Sequence, residues 1–214
     1  MQERQLTGLD RLISGANNLL RTVAAPAGDA ARPYPAASVD ESPMNEADRR
    51  HAAGLMRVNH AGEIAAQGLY QGHALVARKS GVEKQVQEAA QEEFDHLAWC
   101  EQRLDELGAS RSLLSPVWYL GAFTMGAASG ILGDKWSLGF IAETEKQVVD
   151  HLDDHFERLP ADDQRSRAVV TQMREEEMEH GQHAVDAGAA ELPDPIKRLM
   201  KVTSKVMTQT AYRI

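Results

Sequence analysis

A spaced motif occurs twice in this chain, and it limits the fold more than any other feature. The motif is a lone glutamate followed by Glu-x-x-His, at intervals of 30 residues in one copy and 32 in the other. Its members are Glu63, Glu93 and His96 in the first copy and Glu145, Glu177 and His180 in the second. Helical residues three positions apart share a face, so each Glu-x-x-His pair can reach one point. The spacing predicts two helix hairpins, each bringing a lone glutamate beside such a pair.

Each of these glutamates lies in a helical stripe that is otherwise mostly apolar. The stripes advance by steps of three and four residues, as the buried face of a helix does. They run through Met56, Glu63, Ala66, Tyr70 and Ala77; Val86, Ala89, Glu93, His96, Cys100 and Leu107; Leu138, Ile141, Glu145, Val148, Leu152, His155 and Leu159; and Val170, Met173, Glu177, His180, Ala184 and Ala187. A buried carboxylate is costly unless a cation accompanies it. Four of them around one point predict a bound metal.

Turn residues and the lack of strand-like alternation complete the fold prediction. Four helices are predicted over about 45–79, 82–107, 134–160 and 161–188, because Gly and Pro interrupt the pattern near those limits. We predict an all-α, ferritin-like four-helix bundle made of two helix-hairpin repeats, with extra amphipathic helices at the N- and C-termini.

The first 44 residues are predicted to precede the bundle domain, which spans residues 45–214. Residues 1–23 read as a short amphipathic helix without the continuous apolar run and cleavage site of a secretory signal. Its leucines can dock on the bundle or on a membrane, and we favour the bundle. Residues 24–43 hold four prolines among small residues and are predicted to be a linker.

Composition excludes several classes of protein. The net charge of −9 argues against nucleic acid as a partner, since phosphates need Lys and Arg to neutralise them. The single cysteine, Cys100, excludes an intramolecular disulfide, a C-x-x-C zinc site and an iron site built on several thiolates. No G-x-G-x-x-G follows a strand, so a bound nicotinamide or flavin is not expected. A reductant, if one is needed, must come from outside.

The ligand chemistry narrows the choice of metal. Four carboxylates and two imidazoles from four helices suit a di-iron or di-manganese site. Structural zinc would favour cysteine with histidine, and calcium would avoid histidine. We therefore expect two iron ions.

Longer stretches around these residues carry a more specific signal. They are RVNHAGE at 57–63, EFDH at 93–96, ETEKQVVDHL at 143–152 and EEEMEH at 175–180. Together they resemble the di-iron demethoxyubiquinone hydroxylases of ubiquinone biosynthesis, the Coq7 family. The resemblance covers about residues 57–212.

The resemblance implies roles for individual residues. The six repeated residues would ligate two irons (Fe2+/Fe3+), with Glu93 and Glu177 bridging them. Glu143 is an alternative to Glu145, but only Glu145 falls in the apolar stripe. His151 would serve substrate binding or electron delivery. Some relatives carry an aromatic residue at the next position, where this chain has Leu152.

The reaction implied is hydroxylation of the benzoquinol ring of a polyprenylated demethoxyubiquinol with dioxygen, the penultimate step of ubiquinone biosynthesis. The substrate is thus a polyprenylated quinol, and dioxygen is a co-substrate. Other ubiquinone-biosynthesis proteins and further copies of this chain stay open as partners.

A lipid substrate implies contact with a membrane surface, and two segments suit it. Residues 112–133 carry no charge over 22 residues, yet their proline and glycines favour a crossover with an interfacial surface over a membrane span. A crossover packed wholly on the core is the alternative. Residues 193–214 carry a local charge of +4 beside an apolar face, typical of helices that bind anionic lipid. We expect a peripheral protein on the cytoplasmic side of the cell membrane.

Other interpretations use the same residues. A ferritin-like iron-storage protein needs the ligands but no organic substrate, and another ferritin-like hydroxylase could act on tRNA, against which the acidic charge counts. A metal-free bundle would have to explain four buried glutamates. His60 is assigned to packing or support of the ligands, and His73, His155 and His183 to surface or hydrogen-bonded positions. Asp95 and Asp150 are candidates for orienting the ligand histidines.

Overall fold

The computed structural model describes residues 8–24, 28, 30–76 and 80–214, with side chains described for residues 15, 17–24, 28, 30–76 and 91–214. Within these residues the chain forms seven helices and no strand. They are α1 (Gly8–Val23), α2 (Glu46–Val76), α3 (Ser80–Glu106), α4 (Ser115–Leu132), α5 (Asp134–Arg158), α6 (Gln164–Asp186) and α7 (Asp194–Ala211). The all-α prediction is confirmed.

Helices α2 with α3 and α5 with α6 form the two predicted hairpins, and together they make the bundle. The main apolar core takes Met56 from α2, Cys100 from α3, Leu152 from α5 and Met173 from α6. A polar cap marks the start of α6, where Asp163 accepts a hydrogen bond from the Ser166 backbone nitrogen (2.9 Å).

The predicted stripes are largely the buried faces of these helices. Val148 is half-buried, and Ala187 is exposed because α6 ends one residue before it. Ala77, Val86 and Ala89 lie outside the described side chains.

The uncharged crossover is itself a helix, α4, and it packs lengthwise on α2. Contact is close because both helices carry glycines on the shared face: Gly68 and Gly72 on α2, and Gly126 and Gly130 on α4. A Cβ added at Gly126 would collide with the backbone carbonyl of Leu69. Small residues spaced four apart let two helix backbones approach in this way. The crossover therefore has one side committed to the bundle.

The terminal helices both contact the bundle. Leu19 and Val23 of α1 pack against a cluster that includes Ile64 and Tyr119, in keeping with the predicted docking. Residues 1–7 lie outside the described residues. At the other end, Ala211 of α7 is fully buried. Among the described residues, no helix has the length and apolar character that crossing a membrane requires.

Residues 30–44, which we call the strap, lie along α3 and α6 instead of standing off as a free linker. Ala36 is completely buried in the main core, and Tyr34 and Val39 pack beside it. Glu41 pairs with Arg103 at 2.7 Å. The strap is thus part of the folded domain, although its prolines keep it out of helical conformation.

Candidate metal centre

The six predicted metal residues project from four helices into the interior of the bundle. Five of them are at most 3% exposed, and His180 is 6% exposed. Glu63, Glu93, His96 and Glu177 offer ligand atoms that all lie within 4.8 Å of one another. Metal ions in proteins are held by oxygen and nitrogen donors that converge in this way.

The two glutamates of the Glu-x-x-His pairs stand between the two histidines. The His96 Nδ1 atom lies 3.3 Å from Glu93 and 3.1 Å from Glu177. The His180 Nδ1 atom lies 3.2 Å from Glu93 and 3.3 Å from Glu177, and each glutamate faces the two histidines with different oxygens. A carboxylate placed like this can bridge two ions. The geometry therefore suits the bridging role that the resemblance implies for Glu93 and Glu177.

The lone glutamates occupy the outer positions. Glu63 Oε2 lies 3.8 Å from His96 Nδ1. On the opposite side, Glu145 accepts a short hydrogen bond from the Tyr70 hydroxyl, which comes from α2. Glu145 is 1% exposed, whereas Glu143 is half-buried and accepts a hydrogen bond from Gln147. Between the two alternatives, Glu145 is the one inside the bundle.

Burial and mutual repulsion shift the ionisation of this cluster strongly. Burial, reinforced by the charge of Glu93, holds the pKa of Glu63 well above its ordinary value. Burial and the charge of Glu177 do the same to the pKa of Glu145. Burial would lower the pKa of His180, but hydrogen bonds with Glu177 and Glu93 outweigh it and raise that pKa to about 12. The cluster thus calls for positive charge.

The donors fit a pair of divalent ions. Oxygens of Glu63, Glu93 and Glu145 and the Nδ1 atom of His96 are buried without a hydrogen-bond partner in the described part of the chain. Buried polar atoms are rarely left so unless a ligand completes them. When all four carboxylates are ionised they carry four negative charges, which two divalent cations would neutralise.

Two further glutamates, missed in the sequence, hold the ligand histidines from behind. Each is the residue before a Glu-x-x-His pair, and each binds the histidine of the other copy. The His96 Nε2 atom donates to Glu176 at 2.6 Å, and the His180 Nε2 atom donates to Glu92 at 2.6 Å. Such bonds leave Nδ1 as the free ligand atom of both rings. The doubled glutamates of EEFDH and EEMEH were the available signal.

The aspartates predicted as orienting residues have other partners. Asp95 accepts hydrogen bonds from the Ala31 backbone nitrogen and from Arg32, both in the strap. Asp150 pairs with Lys146 on the surface of α5. Orientation of the histidines is carried by Glu92 and Glu176 instead.

An apolar cavity of about 130 Å³ meets the cluster between α2, α4, α5 and α7. Glu63 and His151 form part of its wall, together with apolar residues such as Leu69 and Val148. The His151 Nε2 atom is buried and makes no hydrogen bond within the described residues. Burial lowers the pKa of His151 to about 4, so the ring is neutral at neutral pH.

Four other histidines lie outside the ligand set and outside the cavity lining. His155 Nδ1 donates to Asn59 Oδ1 (2.7 Å), and the His155 ring lies 3.8 Å from that of His151 between centroids. The Ser137 hydroxyl donates to His73 Nδ1 at 2.5 Å. His60 is completely buried, in agreement with a packing role, and His183 is exposed.

Fold and site together define a class: a ferritin-like helical bundle with a buried carboxylate and histidine cluster that could hold metal. The family model described as "Ubiquinone biosynthesis protein COQ7" matches residues 50–211. The chain belongs to this family.

Curated relatives align over almost the whole chain. One from Polynucleobacter necessarius subsp. necessarius is 54% identical over 210 residues, covering 98% of this chain and 100% of the relative. One from Chromobacterium violaceum is 52% identical over 206 residues, covering 96% and 100%. One from Nitrosococcus oceani is 51% identical over 214 residues, covering 100% of both. All three are named 3-demethoxyubiquinol 3-hydroxylase.

Proposed function

We propose that this protein is a 3-demethoxyubiquinol 3-hydroxylase whose six buried Glu and His residues hold two iron ions. The observation that carries the proposal is the cluster itself: two histidine Nδ1 atoms facing shared carboxylates, beside an apolar cavity. The names of relatives that are more than half identical supply the substrate class. An iron-storage protein would have no use for a cavity that meets the ligand set.

The irons would be held by Glu63 and His96 on one side and Glu145 and His180 on the other, with Glu93 and Glu177 shared. Bound there, two ferrous ions supply the reductive activation of dioxygen, by which one oxygen atom enters a ring carbon–hydrogen bond and the other leaves as water. The reaction also consumes two electrons and two protons, and an external reductant provides the electrons.

The volume of the cavity limits which part of the substrate can enter it. A space of about 130 Å³ is of the size that holds a single six-membered ring, since engineered cavities of about 150 Å³ take up benzene. The quinol ring therefore enters and the prenyl tail stays outside. Glu63 places the ring beside the metal ligands, and the neutral His151 accepts a hydrogen bond from a ring hydroxyl at Nε2. The apolar wall excludes water from the reacting carbon.

The mouth of the cavity suits a membrane surface. Met125 of α4 and Met200 of α7 line the cavity, and the outer faces of these two helices expose large apolar side chains. They are Leu113, Val117, Leu120, Met125, Ile131 and Leu132 near α4, and Ile196, Leu199, Val202 and Val206 on α7. Residues 193–214 add a net charge of +4. We place the protein peripherally on the cytoplasmic side of the cell membrane, so that a prenyl tail passes directly into lipid.

Anaerobic reconstitution of the full chain tests the reaction. Ferrous iron should bind at two ions per chain, and addition of a demethoxyubiquinol, a chemical reductant and ¹⁸O₂ should yield a product heavier by one labelled oxygen. Glu177→Ala removes a carboxylate shared by both ions, so it should lose both the iron and the product. Iron uptake well beyond two ions without product would instead indicate storage.

Vesicle binding tests the membrane surface separately. The full chain should sediment with vesicles containing phosphatidylglycerol and bind less to phosphatidylcholine alone. The double change Leu199→Glu and Val202→Glu places charge on the exposed face of α7, outside the cavity lining. It should abolish sedimentation while leaving iron binding intact. Equal binding by the two proteins would refute this placement.

A further inference from the structure

The strap reaches the metal centre through one arginine. Arg32 Nε lies 2.6 Å from Asp95 Oδ2, and Arg32 Nη1 lies 2.7 Å from Glu176 Oε1. Its guanidinium also stacks over the Trp99 ring at 4.9 Å. Neighbouring Ala31 donates its backbone N–H to the other Asp95 oxygen at 2.7 Å. The arginine is thus held in one orientation by a fork of charged contacts and an aromatic face.

Glu176 connects this arginine to a metal ligand. Its Oε1 atom pairs with Arg32 and accepts a hydrogen bond from the side-chain amide of Gln172 (2.7 Å). Its Oε2 atom accepts the hydrogen bond from His96 Nε2. Both oxygens are therefore engaged, and the carboxylate cannot turn without breaking a charged contact. The His96 ring is fixed in turn, with Nδ1 toward Glu93 and Glu177.

The equivalent glutamate in the other copy has a different setting. Glu92 holds His180 at the same 2.6 Å, but its side chain is 50% exposed, against 14% for Glu176. Among the described residues, no arginine or lysine pairs with the Glu92 carboxylate, although Arg32 Nη2 donates to the Glu92 backbone carbonyl at 3.3 Å. The repeated motif therefore has one histidine held by a clamped carboxylate and one held by a freer carboxylate. The clamp comes from a segment that precedes the family match over residues 50–211.

We propose that Arg32 is a positioning residue for the His96 half of the metal centre, acting through Glu176. The inference rests on the proposed function, because it assumes that His96 ligates metal. Loss of Arg32 frees Glu176 to turn toward solvent and lets the His96 ring leave its ligating orientation. Residues that orient a ligand histidine are commonly worth about 10–100-fold in metal affinity. Arg32 acts one contact further out, so the lower end of that range applies.

The experiment is an anaerobic titration of the full chain with Co²⁺, which binds carboxylate and imidazole ligands and has visible absorption bands. Wild type should bind two ions. Arg32→Gln should weaken one of the two by about 10-fold and alter its absorption, while the other ion binds as in wild type. Arg32→Lys keeps the charge but cannot bond Asp95 and Glu176 at the same time. The affinity of its weakened ion should lie between those of wild type and Arg32→Gln.

A double-mutant cycle shows whether the effect passes through Glu176. Glu176→Gln should weaken the same ion more than Arg32→Gln does, and the double variant should match Glu176→Gln alone. The control is Glu41→Gln, which removes the ion pairs of Glu41 with Arg103 and Arg165 but does not touch Glu176. It should lower thermal stability and leave both Co²⁺ affinities unchanged.

The outcomes separate the two proposals. If wild type binds two Co²⁺ ions and Arg32→Gln changes neither affinity, or weakens binding no more than Glu41→Gln, the positioning role is wrong and the metal centre stands. Additive losses in the double variant would also overturn it. Failure of wild type to bind two ions would overturn both the positioning role and the proposed function.

Discussion

The candidate metal centre has two unlike sides. Toward α2 and α5 it meets an apolar cavity walled by Glu63 and His151, which we call the open side. Toward α3 and α6, both histidines are bonded from behind by Glu92 and Glu176, and the strap lies over the second of these. This is the closed side. The ligand set is nearly symmetric, but its surroundings differ: an apolar cavity lies on one side, and glutamates bonded to the histidine rings lie on the other.

The buried histidines show the same division. On the open side, burial lowers the pKa of His151 in the cavity wall to about 4, so this ring is neutral. On the closed side, burial would also lower the pKa of His96, but the hydrogen bond that the ring donates to Glu176 and the nearby Glu177 carboxylate outweigh it and raise the pKa well above its ordinary value. The histidine beside the cavity is thus neutral, whereas the predicted ligand histidines lie among carboxylates.

Filling the cavity should give the largest effect confined to the open side. Val148→Trp inserts a large ring into the cavity wall, so the quinol ring loses its place, and kcat/KM should fall by about 100-fold or more, equivalent to about 2.7 kcal/mol. Two irons should still bind, because no ligand is touched. Val185→Trp on the exposed face of α6 is the control, with activity near wild type. A loss of iron in Val148→Trp would contradict the separation of the two sides.

On the closed side, Glu92→Gln should affect metal binding and spare substrate binding. The amide holds the His180 ring less firmly than a carboxylate does, so Fe²⁺ affinity at one of the two sites should fall by about 10-fold to 100-fold. At saturating iron, the KM for the quinol should stay within about twofold of wild type. Glu179→Gln, an exposed neighbour of His180, should change neither quantity. A raised KM with intact iron affinity in Glu92→Gln would contradict the role of Glu92 in metal binding.

A smaller effect is expected where α4 packs on α2 behind the open side. Gly126→Ala pushes a methyl group into the backbone of Leu69 and should lower the free energy of unfolding by about 1–3 kcal/mol. Gly121→Ala, on the same helix with open space around it, should raise that free energy by about 0.5–1 kcal/mol. Chemical denaturation of both variants measures the difference. Equal shifts would mean that the close approach of the helices is not as described.

Mild acid should weaken the packing of α4 and α5 on α2, with His73 as one contributor. Its pKa is about 4 in the folded protein against an ordinary 6.5, so its contribution to stability is complete above pH 6.5 and is lost as pH falls toward 4. His73→Gln should reduce the slope of the free energy of unfolding against pH in that window by about 1.4 kcal/mol per pH unit, which corresponds to about one proton. Denaturation at several pH values measures the slope, and an unchanged slope would refute the neutral, buried His73.

Much of this arrangement could be predicted from residue spacing. The steps of three and four place Glu145 inside and Glu143 outside, and the structure agrees on their burial. The doubled interval predicts that Glu63, Glu93, His96 and Glu177 converge, as they do. Helical periodicity is a property of the chain itself, so the inward face of each helix follows from sequence without knowledge of its neighbours.

Other features needed the assembled bundle. Nothing in the spacing says that Glu176 bonds the histidine of the opposite copy, because that contact depends on how two hairpins are set against each other. The same holds for Arg32, which reaches Glu176 from a proline-rich segment with no periodicity, and for Gly126, whose role depends on the backbone of α2. The sequence by itself determined the helices and their inward Glu and His residues. Which side of the cluster meets the cavity and which is clamped was decided only by tertiary packing, since it arises between elements that are distant along the chain.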